Sequence, residues 1–259
     1  MIIDFYKYQG TGNDFVILDN RDGKYSAITR EQVAFICNRH FGIGADGLMM
    51  LQLKQGYDFK MVYFNADGGE SSMCGNGGRC LTAFAKELGV INGKARFIAV
   101  DGEHIAIIHH NGIVELKMQD VTQIERYEDH CVLNTGSPHY IKWVSSTDSV
   151  NVYDEGRAIR YNKKFGHMGI NVNFAEIQPS LIKVRTYERG VEDETLSCGT
   201  GVTASAIAAS TDSTEPQTIT VSTPGGILSV KFKRTAPSNF EDVWLCGPAQ
   251  FVYRGTMQL

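Results

Sequence analysis

The chain has 259 residues, enough for a little under two domains of ordinary size and for a core that needs no disulfides. It is 42% hydrophobic and 21% charged, with 25 Lys+Arg against 29 Asp+Glu, so its net charge of −4 offers no basic field for nucleic acid. No apolar run approaches the roughly 20 residues of a membrane span. The opening Met1-Ile2-Ile3-Asp4 lacks a basic start followed by an apolar stretch, so neither a signal peptide nor a location outside the cytoplasm is expected.

The predicted elements begin with a hairpin, residues 2–8 and 14–19 around a Gln9-Gly10-Thr11-Gly12-Asn13 turn. Residues 29–40 read as a helix, with Thr29 and Gln32 as a capping box and Val33, Ile36 and Cys37 on one face. After a glycine-punctuated turn at 42–47, strands are expected at about 48–53 and 59–64, leading into Asn65-Ala66-Asp67-Gly68-Gly69. A helix follows Cys74-Gly75-Asn76-Gly77-Gly78. Leu81, Phe84, Ala85 and Leu88 fall at helical spacing, and Gly89 is its stop. Residues 95–118 alternate as two or three strands.

The second half repeats this plan. Strands are expected at about 139–144, 170–177 and 181–187, then a polar turn, then a helix from Cys198-Gly199-Thr200-Gly201 to about Ser210. No charge occurs between Thr195 and Thr211, which predicts a helix buried on all sides. Strands at about 217–222, 226–233 and 242–246 close the half, and a last strand at about 249–255 follows. Cys74-Gly-Asn-Gly and Cys198-Gly-Thr-Gly lie 124 residues apart, as do Gly12-Asn13 and Gly136-Ser137. This weak duplication predicts two similar domains, 1–117 and 118–248, with the last strand at about 249–259 rejoining the first.

Six cysteines occur, at 37, 74, 80, 131, 198 and 246, with no C-x-x-C pair and no zinc spacing, so thiols rather than disulfides or a metal site are expected. Two of them stand at helix starts. There a thiol meets unpaired backbone N–H groups and the positive end of the helix dipole, which lowers its pKa from about 8.5 toward neutrality. The following glycine opens the backbone, so the N–H groups of Gly75 and Asn76, or of Gly199 and Thr200, can bind a carboxylate. One copy also fits a phosphate loop or a tight turn around a buried cysteine. Two copies suit the inversion of a carbon beside a carboxylate. One thiolate removes the α-proton, one thiol delivers a proton to the opposite face, and the helix dipoles stabilise the enediolate-like carbanion. Neither metal nor pyridoxal is required, and no cofactor is expected.

At these residues the sequence resembles the diaminopimelate epimerases, pyridoxal-independent amino-acid racemases and epimerases. The motifs are Gly12-Asn13-Asp14-Phe15, Gly42-Ile43-Gly44-Ala45-Asp46-Gly47, Asn65-Ala66-Asp67-Gly68, Cys74 to Cys80, Asn171-Val172-Asn173-Phe174 and Tyr187-Glu188-Arg189-Gly190 through Glu194 to Gly201. They run in order along nearly the whole chain. The resemblance implies an α+β fold of two pseudo-symmetric domains, each a mostly antiparallel sheet wrapped around a central helix, with the active site in the cleft between them. The implied reaction interconverts L,L- and meso-diaminopimelate in lysine and peptidoglycan precursor synthesis. Cys74 and Cys198 match the acid/base pair, the first directed at the L,L-substrate and the second at the meso. Asn13, Asn65, Asn171, Glu188 and Arg189 match substrate-binding positions. Arg189 offers a fork to the distal carboxylate, and Glu188 a charge to the distal ammonium.

Two positions depart from the pattern. The usual Gly-Asn-Pro-His is Gly136-Ser137-Pro138-His139, and Gly47 stands where some members carry Gln. Ser137, His139 and Gly47 therefore stand as supporting positions. A homodimer is the assembly the resemblance suggests. A proline or hydroxyproline racemase, which carries His where Asn76 stands, is the nearest rival. An isomerase of the phenazine-biosynthesis type would lack the cysteine pair. A redox-sensing thiol protein is the rival outside enzymes.

Overall fold

The computed structural model describes all 259 residues. They form two compact units, Met1–Leu116 with Gly247–Leu259, and Lys117–Cys246.

The first unit starts with β1 (Ile2–Gly10), β2 (Asn13–Asp19), α1 (Arg30–Cys37), β3 (Gly47–Gln52), β4 (Phe59–Asn65) and β5 (Glu70–Ser71). It continues with α2 (Gly75–Glu87), β6 (Lys94–Ala99), β7 (Gly102–Ile108) and β8 (Ile113–Lys117). The second unit begins with β9 (Ile124–Arg126), β10 (His130–Asn134) and β11 (Pro138–Trp143). After these come α3 (Val152–Arg160), β12 (Asn171–Ile177), β13 (Ile182–Glu188), β14 (Asp193–Thr195) and α4 (Gly199–Ala208). It ends in β15 (Gln217–Thr223), β16 (Gly226–Ala236) and β17 (Asn239–Pro248), and β18 (Gln250–Gln258) completes the first unit.

The pairing repeats strand for strand. In the first unit β1–β2 is antiparallel, β2–β3 parallel, β3–β4 and β4–β5 antiparallel, β4–β6 parallel, and β6–β7–β8 antiparallel. The second unit has the same sequence of relations from β10 through β17. The strand beside β1 is β18, and the strand beside β10 is β9.

Each sheet wraps one helix. α2 packs against β1, β2, β3, β4 and β7, and α4 packs against β10, β11, β12, β13, β15 and β16. Apart from Thr200, every residue of α4 is buried, as its uncharged sequence predicts. The outer helix sits on the opposite face. Val16, Leu18, Leu48 and Met50 of β2 and β3 join Val33, Ile36 and Cys37 of α1 in one cluster. The alternate residue Met49 faces α2, where a Cβ on Gly77 would lie 2.5 Å from its Cε. With both faces covered, β2 and β3 read as continuous apolar runs.

Three local results differ from the sequence expectation. α1 has its capping box, but it ends at Cys37 rather than residue 40. Asn38 turns extended, and its Oδ1 accepts from the N–H groups of His40 and Phe41, an alternative to helix continuation. α3 was not expected; its sequence is mostly polar and carries Gly156. That glycine is a packing residue, since a Cβ there would lie 2.4 Å from Cβ of Tyr187 on β13. The short β5, β9, β10 and β14 were also not expected. No helix is long and apolar enough to cross a membrane.

Candidate active site

Cys74 is the N-cap of α2, and Cys198 is the N-cap of α4; both are in extended backbone. Neither thiol caps its own helix, so the first-turn N–H groups point out of the helix end beside the sulfur. The duplicated Cys-Gly-x-Gly thus produces the same local structure twice.

In the first unit, Cys74 Sγ lies 3.6 Å from Asn13 Oδ1 and donates to it. The turn between β1 and β2 presents Asn13. Its amide is oriented by Asp46, whose carboxylate accepts from Asn13 Nδ2 at 2.6 Å and from the Asp14 N–H at 3.1 Å. A carboxylate can only accept, so Oδ1 is turned to the thiol. Asn76 Nδ2 donates to the same Oδ1 at 3.3 Å, and Asn76 Oδ1 accepts from Arg79 at 3.0 Å. Arg79 is fully buried on α2 and donates also to Thr11 Oγ1 and to the carbonyl oxygens of Gly75 and Pro248. Beneath this lies an ion network. Asp14 pairs with Lys7 at 2.6 Å and with Arg39 at 2.7 Å, and Arg39 bridges to Asp46 at 2.6 Å. Burial works against the Asp14 carboxylate, but its hydrogen bonds to Arg39 and Lys7 outweigh it and hold the pKa down at about 2.

Asn65 ends β4 on the exposed side, and its backbone forms the turn with Gly68 and Gly69. Gly47 is buried opposite Asn65, where a Cβ would lie 2.6 Å from the Phe64 carbonyl oxygen and from the Tyr63 ring. It is a close-approach glycine between β3 and β4.

In the second unit, Cys198 Sγ lies 3.5 Å from Thr200 Oγ1. His139 Nε2 lies 2.9 Å from the same hydroxyl oxygen. Burial, with Arg189 adding to it, pushes the His139 pKa down to about 3, so the ring is neutral at pH 7. Asn171 and Asn173 alternate with Val172 and Phe174 along β12. The apolar pair joins the α3 cluster, and Asn173 reaches the His139 ring on the α4 side. Asn171 accepts from the Arg189 backbone N–H at 2.8 Å and donates to the Pro138 carbonyl oxygen at 3.2 Å, fixing the chain on either side. Glu188 accepts from the Thr195 hydroxyl at 2.9 Å, and Arg189 donates to the Met168 carbonyl oxygen at 2.9 Å. Ser137 is half-buried in the β10–β11 turn, its carbonyl oxygen accepting from the Thr135 N–H.

The structure thus gathers Cys74, Gly75, Asn76 and Asn13 in one unit, and Cys198, Gly199, Thr200 and His139 in the other, each set around a helix start. It adds Asp46, Arg79 and Asn173, whose orienting contacts the sequence reading did not identify. Asp46 and Arg79 lie inside motifs, but their partners are set by folding; only the period-2 spacing of Asn171 and Asn173 hinted at a shared face.

Comparison with known proteins agrees with the repeat. The family model described as diaminopimelate epimerase matches twice, over residues 5–126 and 131–252. A diaminopimelate epimerase of Flavobacterium psychrophilum is 48% identical, covering 97% of this chain and 99% of its own. Among solved structures, a phenazine biosynthesis protein of the PhzF family from Bacillus anthracis superposes with a TM-score of 0.78 at 14% identity, covering all of both chains. A probable proline racemase from Agrobacterium radiobacter superposes at 0.68 with 14% identity, over 99% of this chain and 92% of that one. These two likenesses concern the fold alone.

Proposed function

The chain belongs to the diaminopimelate epimerase family, and from that premise we propose that Cys74 and Cys198 are its two proton carriers, acting on opposite faces of one α-carbon of diaminopimelate. It is an isomerase of lysine biosynthesis. In the proposed reaction one thiolate takes the α-proton and becomes a thiol. The electron pair left on the carbon delocalises into the adjacent carboxylate, which the first-turn N–H groups of the helix ends stabilise. The other thiol gives its proton to the opposite face and becomes the thiolate. Atoms, charge and oxidation state balance without a cofactor.

The observation that carries this reading is the repeated N-cap cysteine, each with a polar neighbour suited to one protonation state. The Asn13 carbonyl oxygen accepts from a thiol at Cys74, and the Thr200 hydroxyl lies within reach of Cys198. Asn13, Asn65, Asn171, Glu188 and Arg189 are proposed to hold the distal amino-acid end, with Gly75, Asn76, Gly199 and Thr200 at the reacting carboxylate. Ser137, His139 and Gly47 support these positions.

Reduced protein incubated with L,L-diaminopimelate and no added cofactor should form the meso isomer. No product from reduced protein refutes the reading, and racemisation of proline in its place moves the chain to the sister activity. A cytoplasmic homodimer belongs to the same proposal. The exposed Phe251, Val252 and Tyr253 on β18 support the dimer, and sedimentation velocity tests it.

A further inference from the structure

Asn173 is fully buried on β12, away from the Cys198 thiol in the hydrogen-bond network, and its amide is fixed at three points. Oδ1 accepts from the Thr186 hydroxyl at 2.9 Å. Nδ2 lies 3.2 Å from the Tyr140 carbonyl oxygen and 3.0 Å from His139 Nδ1. A carbonyl oxygen can only accept, so the atom facing Tyr140 and His139 is the NH2 group. His139 Nδ1 is therefore an acceptor. In a neutral ring the single N–H must then sit on Nε2, where it donates to Thr200 Oγ1. The one hydrogen of Thr200 is left for its other neighbour, Cys198 Sγ at 3.5 Å.

A second observation concerns the glycine of Cys-Gly-Thr-Gly. A Cβ on Gly201 would lie 2.3 Å from Asn173 Oδ1 and 3.3 Å from the His139 ring. The helix start is bare at that point because the amide and the imidazole occupy the space. The Thr200 backbone is fixed as well, its carbonyl oxygen accepting from the Thr135 hydroxyl at 2.8 Å.

We propose that Asn173 is a positioning residue: by fixing the Nε2–H tautomer of His139 it aims the Thr200 hydroxyl at Cys198 as a donor, which favours the thiolate there. The chain of donation runs Asn173 to His139 to Thr200 to Cys198. It rests on the reading of Cys198 as a proton carrier. Of the titratable groups on the strands packed against α4, His139 faces the Thr200–Cys198 pair. At the end of β13 the Glu188 carboxylate is engaged by the Thr195 hydroxyl, and Arg189 acts electrostatically on His139. Thr200→Val changes none of these charges. A hydrogen bond to a charged group contributes about 1.5–3 kcal/mol, which corresponds to a shift of roughly one to two pH units in thiolate formation.

Two measurements test the relay without requiring turnover. The first is iodoacetamide alkylation followed peptide by peptide across pH, for wild type, Thr200→Val, Thr200→Ser and Asn173→Ala. The alkylation midpoint of Cys198 should rise by about one unit or more in Thr200→Val, return in Thr200→Ser, and rise in Asn173→Ala, while that of Cys74 stays put. The second is nitrogen NMR of the imidazole groups, with the His139 signal assigned by its loss in His139→Gln. Wild type should show Nε2–H at His139, and Asn173→Ala should lose that preference. An unchanged Cys198 midpoint in Thr200→Val, or a wild-type His139 protonated on Nδ1, overturns the proposal even if Asn173→Ala fails to fold. Absence of epimerisation in a protein that passes both tests would instead count against the epimerase reading.

Discussion

Cys74 stands at the start of α2 and Cys80 inside it, and burial sets the chemistry of the second. Burial pushes the Cys80 thiol up to about 12, and it does the same to Cys37. Alkylation near pH 7.5 should therefore modify Cys74 and Cys198 and leave Cys37 and Cys80 intact, as read by peptide mass spectrometry. Cys74→Ala and Cys198→Ala should each abolish epimerisation, because each face of the carbon needs its own proton carrier. Asp46 acts one step back, by turning the Asn13 carbonyl oxygen to the Cys74 thiol. Asp46→Ala should lower kcat/KM by about tenfold, the loss of one well-placed hydrogen bond, with little change in unfolding free energy for so exposed a group. The helix-start placement of the two cysteines was legible because Cys-Gly-x-Gly ahead of a helical pattern occurs twice. Asp46, Arg79 and Asn173 were not, because what they do depends on partners brought near by folding, such as Asp46 with Asn13 and Asn173 with His139.

At the scale of elements, the legible helices were those with a cap or a uniform face. Thr29 and Gln32 announce α1, and the uncharged run announces α4. α3 has an Asn151 cap, acidic residues in its first turn and arginines in its last, but Gly156 and a low apolar content obscure it. The duplication held the missing signal, since α1 lies between β2 and β3, and α3 fills the matching interval between β11 and β12. Gly156 lets α3 approach β13 closely, so its value as a glycine is in packing rather than in backbone freedom. Gly156→Ala should destabilise the protein by about 1–3 kcal/mol through overpacking against Tyr187, measured by urea unfolding.

Across the whole molecule, two polar networks tie stability to pH on the acid side. His139 has a folded pKa of about 3 against an ordinary 6.5, so the unfolded chain binds its proton first as pH falls. Stability is then full above about 6.5 and declines as pH drops toward 3. Asp14, held down at about 2 against 3.8, adds a further loss only below 3.8. Unfolding free energy should therefore fall between pH 6.5 and 4 with a contribution of about 1.4 kcal/mol per pH unit from His139, and His139→Gln should remove that part of the slope. At the same scale, some of the chain's 27 glycines mark close approaches. Glycines at 47, 77, 156 and 201 stand where strands, helices and side chains approach too closely for a Cβ, and the repeated fold sets such approaches in both units.

The most direct test of two cysteines exchanging one proton each is turnover of L,L-diaminopimelate in deuterated water. At early times the meso product should carry one α-deuterium while recovered L,L-substrate carries none, since one cysteine returns only the proton it took and the other supplies solvent deuterium. Deuterium appearing equally in recovered substrate and product, or none in either, would contradict a two-base epimerase.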